Sequence, residues 1–251
     1  MIRSMCMTTF TISIAGLSVQ ISALHAATRM YCQKYLTEKP ADFSVSIEQQ
    51  DIDSEREKAI REYELEGISV PYLPDAYLET LAVYRKIANK MLNYDTILFH
   101  GSAIAVDGEG YLFTATSGTG KSTHTRLWRE HFGDRAIMVN DDKPLLRSLD
   151  GKIWVCGTPW DGKHHLSTNT MVPLKGICIL TRGEKNEIHR IPSLKAISMM
   201  LQQCHRPPEA QEVSKMLELI DRMLAQVPVY LLKCNMSPEA AEVSYQGMQN
   251  T

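Results

Sequence analysis

The stretch YLFTATSGTGKSTHTRLWREHF, residues 111–132, decides the fold of this chain. It begins with an apolar strand-like segment, Tyr111 to Thr116, and passes through a glycine-rich loop into a predicted helix from about Lys121 to His131. A strand that leads through such a loop into a helix is the context in which backbone N–H groups converge on phosphate. The sequence therefore predicts an α/β domain built around a phosphate-binding loop.

The loop itself resembles a Walker A motif, or P-loop, although Ala115 stands where the usual pattern begins with Gly. Gly118 and Gly120 permit a backbone that points successive N–H groups at one place, where the helix dipole adds to them. Lys121 is expected to reach the β- and γ-phosphates, and the Ser122 hydroxyl is placed to bind Mg²⁺. The candidate nucleotide-binding residues are Ser117, Gly118, Thr119, Gly120, Lys121, Ser122 and Thr123. The alternative is a glycine-rich turn with an exposed lysine.

Two adjacent carboxylates, Asp141 and Asp142, follow an apolar strand-like segment over residues 136–139. Phosphoryl transfer needs a carboxylate that holds the metal or its waters, usually at the end of a neighbouring strand. One aspartate can then serve the metal while the other accepts a proton from an attacking hydroxyl. The alternative is that the pair forms a turn or a helix cap. Because the pair follows a phosphate-binding loop in the chain, we favour its role in phosphoryl transfer over the structural alternative.

Two further candidates flank this arrangement. His100, in the sequence HGS, precedes the strand of the loop, and a hairpin pairing could bring it near the phosphates; a core or cap histidine is the alternative. Lys163 lies in the polar segment 157–169 and could steady the charge of a transferring phosphoryl group, or it is a solvated loop lysine. The adjacent His164 and His165 cannot both face one metal from a regular strand, so no metal site is expected there.

The composition is that of an ordinary globular protein. The 251 residues are 44% hydrophobic and 22% charged, and 27 Lys and Arg oppose 29 Asp and Glu for a net charge of −2. This balance provides no general attraction to nucleic acid or to an anionic membrane, and neither is expected as a partner. Six cysteines form no C-x-x-C pair, which argues against a structural metal and fits the reducing cytoplasm. No apolar run of about 18 residues could span a membrane.

An N-terminal β module precedes the loop domain. Period-2 alternation predicts short strands over residues 8–15, 17–22 and 42–47, and helical spacing of apolar residues predicts a helix over 76–93. We place a boundary near Asp95, which gives a domain over 1–95, the β module with its helical linker, and a domain over 96–251, the loop domain with its C-terminal helices.

The loop domain is predicted to contain several hairpins before its helices. Residues 96–106 and 111–116 are predicted as strands around the turn Asp107-Gly108-Glu109-Gly110, and Asp150-Gly151 joins a second pair. A third pair is predicted over 174–181 and 187–191, around Gly183. Helices are expected over 193–205, over 209–225 and from Ser237, with a buried strand over 229–232. Strands mixed with helices in this way indicate a mixed sheet.

The order of strand, HGS, hairpin, SGTGKST, helix, strand and aspartate pair, from about Thr96 to Ile191, resembles the catalytic domain of HPr kinase/phosphorylase and its relatives. Phosphoenolpyruvate carboxykinase shares this style of P-loop. The resemblance implies a P-loop mixed-sheet kinase domain with a small N-terminal β-rich module, and an ATP- and Mg²⁺-dependent transferase acting on a serine-type hydroxyl. It also implies that Asp141 acts as general base or acid, that Asp142 and Ser122 lie near Mg²⁺, and that His100 lies near the phosphates.

The chain departs from this family at two points. It has Thr116 where the family typically has an acidic residue, and the second signature segment of the family is not found after Asp142. The phosphorylase reaction and HPr as substrate therefore stay open, and the acceptor is a protein, a peptide or a small molecule. Smaller relatives of this kind accompany bacterial peptide-modification pathways. A nucleotide-binding regulator without catalysis and a carboxykinase-like enzyme are the alternatives, and a homo-oligomer is left open.

Overall fold

The computed structural model of the chain describes residues 7–116 and 118–249. The chain divides into two compact units between Lys90 and Met91, whereas the sequence pattern places a boundary near Asp95. Within the described ranges, no helix has the length and apolar character needed to cross a membrane.

The first unit contains a three-stranded sheet and three helices. Strands β1 and β2 are antiparallel and joined by the turn at Ala15 and Gly16, and β3 lies parallel to β2 on its other side. All three strands lie where the alternating pattern predicts them. The elements are β1 (Thr8–Ile14), β2 (Leu17–Ala23), α1 (Ala26–Tyr31), β3 (Phe43–Ser46), α2 (Gln49–Leu65) and α3 (Asp75–Met91).

The second unit is a curled, mixed nine-stranded sheet with helices on both faces. Its strands are β4 (Thr96–Leu98), β5 (Ser102–Val106), β6 (Glu109–Thr114), β7 (Ala136–Asn140), β8 (Leu145–Leu149), β9 (Lys152–Cys156), β10 (Met171–Arg182), β11 (Glu187–Ile191) and β12 (Val229–Cys234). Its helices are α4 (Lys121–Phe132), α5 (Ser193–Gln203), α6 (Ala210–Gln226) and α7 (Glu239–Gln249).

Strand β10 connects the two halves of this sheet. Its first residues pair with β9 in antiparallel orientation, and its later residues lie parallel to β6 on one side and to β12 on the other. Strand β5 is antiparallel to both β6 and β7, so β7 runs in the same direction as β6. The carboxyl ends of β6, β7, β10 and β12 therefore meet at one edge of the sheet, the usual position for a ligand site in α/β proteins.

Apolar residues that alternate along the strands build two cores on opposite faces of the sheet. Helices α5 and α6 cover one face, and α4 and α7 cover the other. The first face carries Ala103, Ala105, Leu112, Ile177 and Ile179, and the second carries Ile104, Val106, Tyr111, Phe113, Cys178 and Leu180.

The predicted hairpin around residues 107–110 is confirmed by the pairing of β5 with β6, whereas one predicted strand and one predicted hairpin are wrong. Residues 96–106 do not form one strand: β4 pairs with β8, β5 pairs with β6 and β7, and the chain breaks between them. The break occurs at Gly101, where a Cβ atom would lie 2.9 Å from the Phe113 carbonyl oxygen and the backbone N–H instead donates to Asp142 O. The apolar character of the segment is continuous, so the sequence gives no sign of the change in direction.

The hairpin predicted around Gly183 is also wrong. Strand β11 follows β10 in the chain but pairs with β12, which is inserted between them. The physical reason is burial, because β12 is largely buried and takes the inner position, whereas β11 is largely exposed and takes the edge.

Candidate functional site

The glycine-rich loop ends at the first residue of α4. Gly118 and Gly120 have φ values of +74° and +116°, which only glycine adopts readily, and no described side chain caps the helix. The first helical hydrogen bond is donated by His124 N to Gly120 O, at 2.9 Å. The N–H groups of residues 121–123 lie before this bond and have no acceptor within the helix. Their partial positive charges can therefore attract an anion at the start of α4. Ser117 lies outside the described residues.

Short contacts hold the described part of the loop. The hydroxyl oxygens of Thr116 and Thr119 lie 2.9 Å apart, and Thr119 N donates to Thr116 O at 3.3 Å. From the end of β10, the Arg182 guanidinium donates to Gly118 O at 2.8 Å. These contacts fix the direction of the peptide groups on the approach to α4.

Lys121 is half-buried beneath the loop, and its Nζ lies 3.5 Å from Ala115 O. Burial lowers the pKa of this ammonium group, and the negative charges of Asp142 and Asp141 oppose the change. The structure thus brings the lysine of the loop and both candidate carboxylates into one electrostatic environment.

Asn140 makes hydrogen bonds on both sides of the turn that follows β7. Its Nδ2 donates to Thr158 O at 3.0 Å, and its Oδ1 accepts from the backbone N–H groups of Asp142 at 2.9 Å and Lys143 at 2.6 Å. This buried side chain therefore ends β7 and shapes the turn that carries Asp141 and Asp142. Asn140 is a site residue that the sequence motifs do not predict, although an asparagine before a turn is a recognisable signal.

The two carboxylates differ in their surroundings. Asp141 is 7% exposed, and its Oδ1 accepts a hydrogen bond from Ser102 Oγ at 2.7 Å. Ser102 Oγ lies 2.9 Å from Thr125 Oγ1, so Asp141 is tied through one hydroxyl to a second on α4. The Asp142 side chain is 30% exposed, and its Oδ2 lies 4.0 Å from Lys143 Nζ.

His100 lies beside Asp142 rather than within a hairpin. Its Nε2 is 3.4 Å from Asp142 Oδ1, and its backbone N–H donates to Gln203 O at 2.7 Å. Burial and the positive charge of Lys121 lower the pKa of His100, although Asp142 opposes this change. The ring is therefore neutral near pH 7.

The loop over residues 157–169 approaches the same carboxylates through Gly162. A Cβ atom at Gly162 would lie 3.1 Å from Asp142 Cβ, and the residue has a φ of +70°. Buried Asp161 braces this loop by accepting a hydrogen bond from Ser167 Oγ at 2.7 Å. Lys163 is exposed on the turn that follows Gly162. Lys163 is the residue that the sequence predicts here, but its neighbour Gly162 is the one that closely approaches Asp142.

Ser122 and Asp142 are the side chains near the loop whose oxygens could bind a metal ion. Among residues 7–116 and 118–249, no group of three or more His, Cys, Asp and Glu side chains could hold a metal ion. Mg²⁺ usually takes one or two protein carboxylates and completes its shell with phosphate oxygens and water. Ser122 and Asp142 could supply that partial set.

The buried thiols have no part in this site. Burial raises the pKa of Cys156 and Cys204 to about 12 and that of Cys178 well above its ordinary value. These three side chains act as small apolar groups in the cores, as the sequence pattern predicts for Cys178.

Comparison with known proteins links the chain to one family. No curated protein matches the sequence. Among solved structures, the Hpr(Ser) kinase/phosphatase from Coxiella burnetii matches with a TM-score of 0.36 and 12% identity, over 61% of this chain and 94% of that one. At this TM-score, the likeness carries no conclusion about function. The family model "SynChlorMet cassette protein ScmC" matches residues 76–243, which is more than half of the chain. The chain therefore belongs to the ScmC family.

Proposed function

We propose that this protein is an ATP- and Mg²⁺-dependent phosphotransferase that acts on a serine-type hydroxyl of a protein, peptide or small molecule. One observation carries the proposal: Lys121, Asp141 and Asp142 share one environment beside the uncapped end of α4. The Lys121 ammonium group and the N–H groups at the start of α4 can bind phosphates. One carboxylate can bind the metal, and the other can accept the proton of the acceptor hydroxyl.

The loop and the start of α4 would hold the donor. In this proposal, Ser117 to Thr123 surround the phosphates, and Lys121 binds the β- and γ-phosphates. Ser122 and Asp142 would hold Mg²⁺, which would offset the negative charge of the phosphates. The half-buried position of Lys121 favours this role, because partial desolvation strengthens its attraction to phosphate.

Asp141 would act as the general base. The acceptor oxygen attacks the γ-phosphorus, the bond from that phosphorus to the β,γ-bridging oxygen breaks, and ADP leaves as the hydroxyl proton moves to Asp141. The hydrogen bond from Ser102 Oγ orients the carboxylate through Oδ1, which leaves Oδ2 to receive the proton. Neutral His100 would orient the Asp142 carboxylate. Lys163, at the edge of the site, would stabilise the negative charge of the phosphoryl group during transfer.

Transfer of labelled γ-phosphate tests the proposal. The full chain is incubated with Mg²⁺, [γ-³²P]ATP and a pool of serine-containing peptides and small hydroxyl compounds, beside Asp141→Asn and the control Asp134→Asn, an exposed aspartate outside the site. We expect transfer by wild type and the control, and a loss on the order of 10³-fold in Asp141→Asn. ATP binding without any transfer would instead indicate a regulator, and equal rates for Asp141→Asn would remove that residue from the mechanism.

A further inference from the structure

A cavity of about 500 Å³ lies against the loop. Its volume is within the range of sites that bind small organic molecules. Its walls come from the start of α4 and from the ends of β10 and β12. The side chains that define it are Thr123, Leu127, Leu180, Arg182, Asn235 and Met236.

The order of the strands places this cavity and the carboxylates on opposite flanks of the loop. Strand β6 carries the loop, with β5 and then β7 on one side and β10 and then β12 on the other. Asp141 and Asp142 follow β7, whereas the cavity is lined by Arg182 at the end of β10 and by residues just after β12. A ligand that extended from the loop into the cavity would therefore leave the carboxylate flank open.

The lining suits a flat group with apolar faces. Leu127 and Leu180 are buried side chains of the core, so they give the cavity a fixed apolar wall. Met236 is 78% exposed at the rim and adds a flexible apolar contact. The planar guanidinium of Arg182 can stack on an aromatic ring or contact phosphate oxygens.

The rim is held in place before any ligand binds. Asn235 Nδ2 donates to Glu184 O at 2.8 Å, and Asn235 Oδ1 accepts from Ser237 N at 2.9 Å. The Arg182 guanidinium donates to Gly118 O at 2.8 Å, which ties the rim directly to the phosphate loop. One side chain thus contacts both the loop and the cavity.

We propose that this cavity binds the nucleoside part of the triphosphate and that Arg182 is the residue that positions it. The inference rests on the proposed function and deepens it. The base packs against Leu127, Leu180 and Met236, and the phosphates extend along the loop toward Lys121. The acceptor then approaches from the flank of Asp141 and Asp142, so donor and acceptor enter the site from opposite sides.

The test compares two ligands that differ only in the nucleoside. Calorimetry measures binding of ATP and of inorganic tripolyphosphate to the full chain with Mg²⁺, for wild type, Arg182→Lys and the control Arg135→Lys. Arg182→Lys keeps the charge but loses the planar group, so we expect ATP affinity to fall about tenfold. Tripolyphosphate affinity should fall by less, through the lost contact with Gly118 O alone. Arg135 is an exposed partner of Asp107 outside the cavity, and its variant should bind both ligands like wild type.

The outcomes separate this inference from the proposed function. If Arg182→Lys weakens both ligands equally, or neither, the role of Arg182 is overturned while the phosphate site stands. If wild type binds neither ligand, both proposals fail. Photolabelling of wild type with 8-azido-ATP gives an independent check: modification within residues 180–183 or 234–236 supports the cavity, and modification within 97–102 or 157–169 overturns it.

Discussion

Two sets of acidic side chains in this protein have contrasting surroundings. Glu79, in the first unit, is fully buried, and its carboxylate accepts hydrogen bonds from Leu24 N at 2.5 Å, from His25 N at 3.1 Å and from the Thr28 hydroxyl. Asp141 and Asp142, in the second unit, lie near the charge of Lys121; Asp141 is buried, and the Asp142 side chain is 30% exposed. The oxygens of Glu79 are used by hydrogen bonds within the fold, whereas the proposed function assigns Asp141 and Asp142 to a ligand.

The contrast teaches how to separate structural acids from functional ones. A buried carboxylate whose oxygens accept from backbone N–H groups stabilises the chain that supplies them, here the entry to α1. Two neighbouring carboxylates repel each other, so under the proposed function the pair at Asp141 and Asp142 should contribute to ligand binding rather than to stability. Substitutions at the two places should therefore affect different properties.

The largest expected effect is on the rate of transfer. Asp141→Asn should lower kcat on the order of 10³-fold because the base is lost, while the free energy of unfolding changes by less than about 1 kcal/mol. Asp142→Asn should instead raise the Mg²⁺ concentration needed for half-maximal rate, by at least about tenfold. Rates measured against Mg²⁺ concentration distinguish the two roles, and identical profiles for the two variants would show that the roles are not divided.

Glu79→Ala should produce the opposite pattern. Removing the carboxylate leaves the N–H groups of Leu24 and His25 without their acceptor, so the free energy of unfolding should fall by about 3 kcal/mol. Urea unfolding measures this loss, and Glu57→Ala, at an exposed ion pair, should change it by less than about 1 kcal/mol. A loss of kcat in Glu79→Ala protein that remains folded would break the contrast.

Histidines extend the comparison, because buried His124 serves the fold whereas His100 lies at the site. His124 Nε2 accepts from Trp128 Nε1 at 3.1 Å, and burial lowers its pKa to about 3. Between that value and the unfolded pKa of about 6.5, the unfolded chain binds the extra proton, so stability falls as the pH falls. From pH 7 to pH 5, this group should remove about 2 kcal/mol from the free energy of unfolding.

Urea unfolding at the two pH values checks this prediction. His124→Gln should lose less stability on acidification than wild type, and exposed His189→Gln should behave like wild type. If His124→Gln loses as much stability as wild type between pH 7 and pH 5, other titratable groups cause the loss.

The smallest effect is expected from Gly162→Ala, which tests how tightly the site is packed. The new methyl group would lie 3.1 Å from Asp142 Cβ, so it should displace the carboxylate and lower kcat about tenfold. Gly151→Ala is the matched control, because Gly151 has a similar φ of +72° but has no neighbour within 4 Å. Both variants carry the same backbone strain, and equal rates for the two would show that contact with Asp142 is unimportant.

The parts of this structure that the sequence predicts are those set by local pattern. The turn at Gly118 and Gly120, the helix from Lys121 and the position of the aspartates after β7 all follow from neighbouring residues. Long-range pairing is different: the apolar residues 229–232 predict a buried strand, but they do not specify that it lies between β10 and β11.

The same limit applies to the candidate site. Ser102 reaches Asp141 across 39 residues of chain, and Gly162 reaches Asp142 only because a distant loop folds back. Such contacts depend on tertiary structure, so a motif can identify the residues that meet the phosphates but not those that orient the carboxylates.

The most direct test of the central claim is calorimetric titration of the full chain with ATP, with and without Mg²⁺, for wild type, Lys121→Met and the exposed control Lys152→Met. If Lys121 and the aspartate pair form a metal–nucleotide site, wild type and the control should bind ATP more tightly with Mg²⁺, and Lys121→Met should lose at least about tenfold in affinity. ATP affinity that is the same in Lys121→Met, or that does not respond to Mg²⁺, would contradict the account.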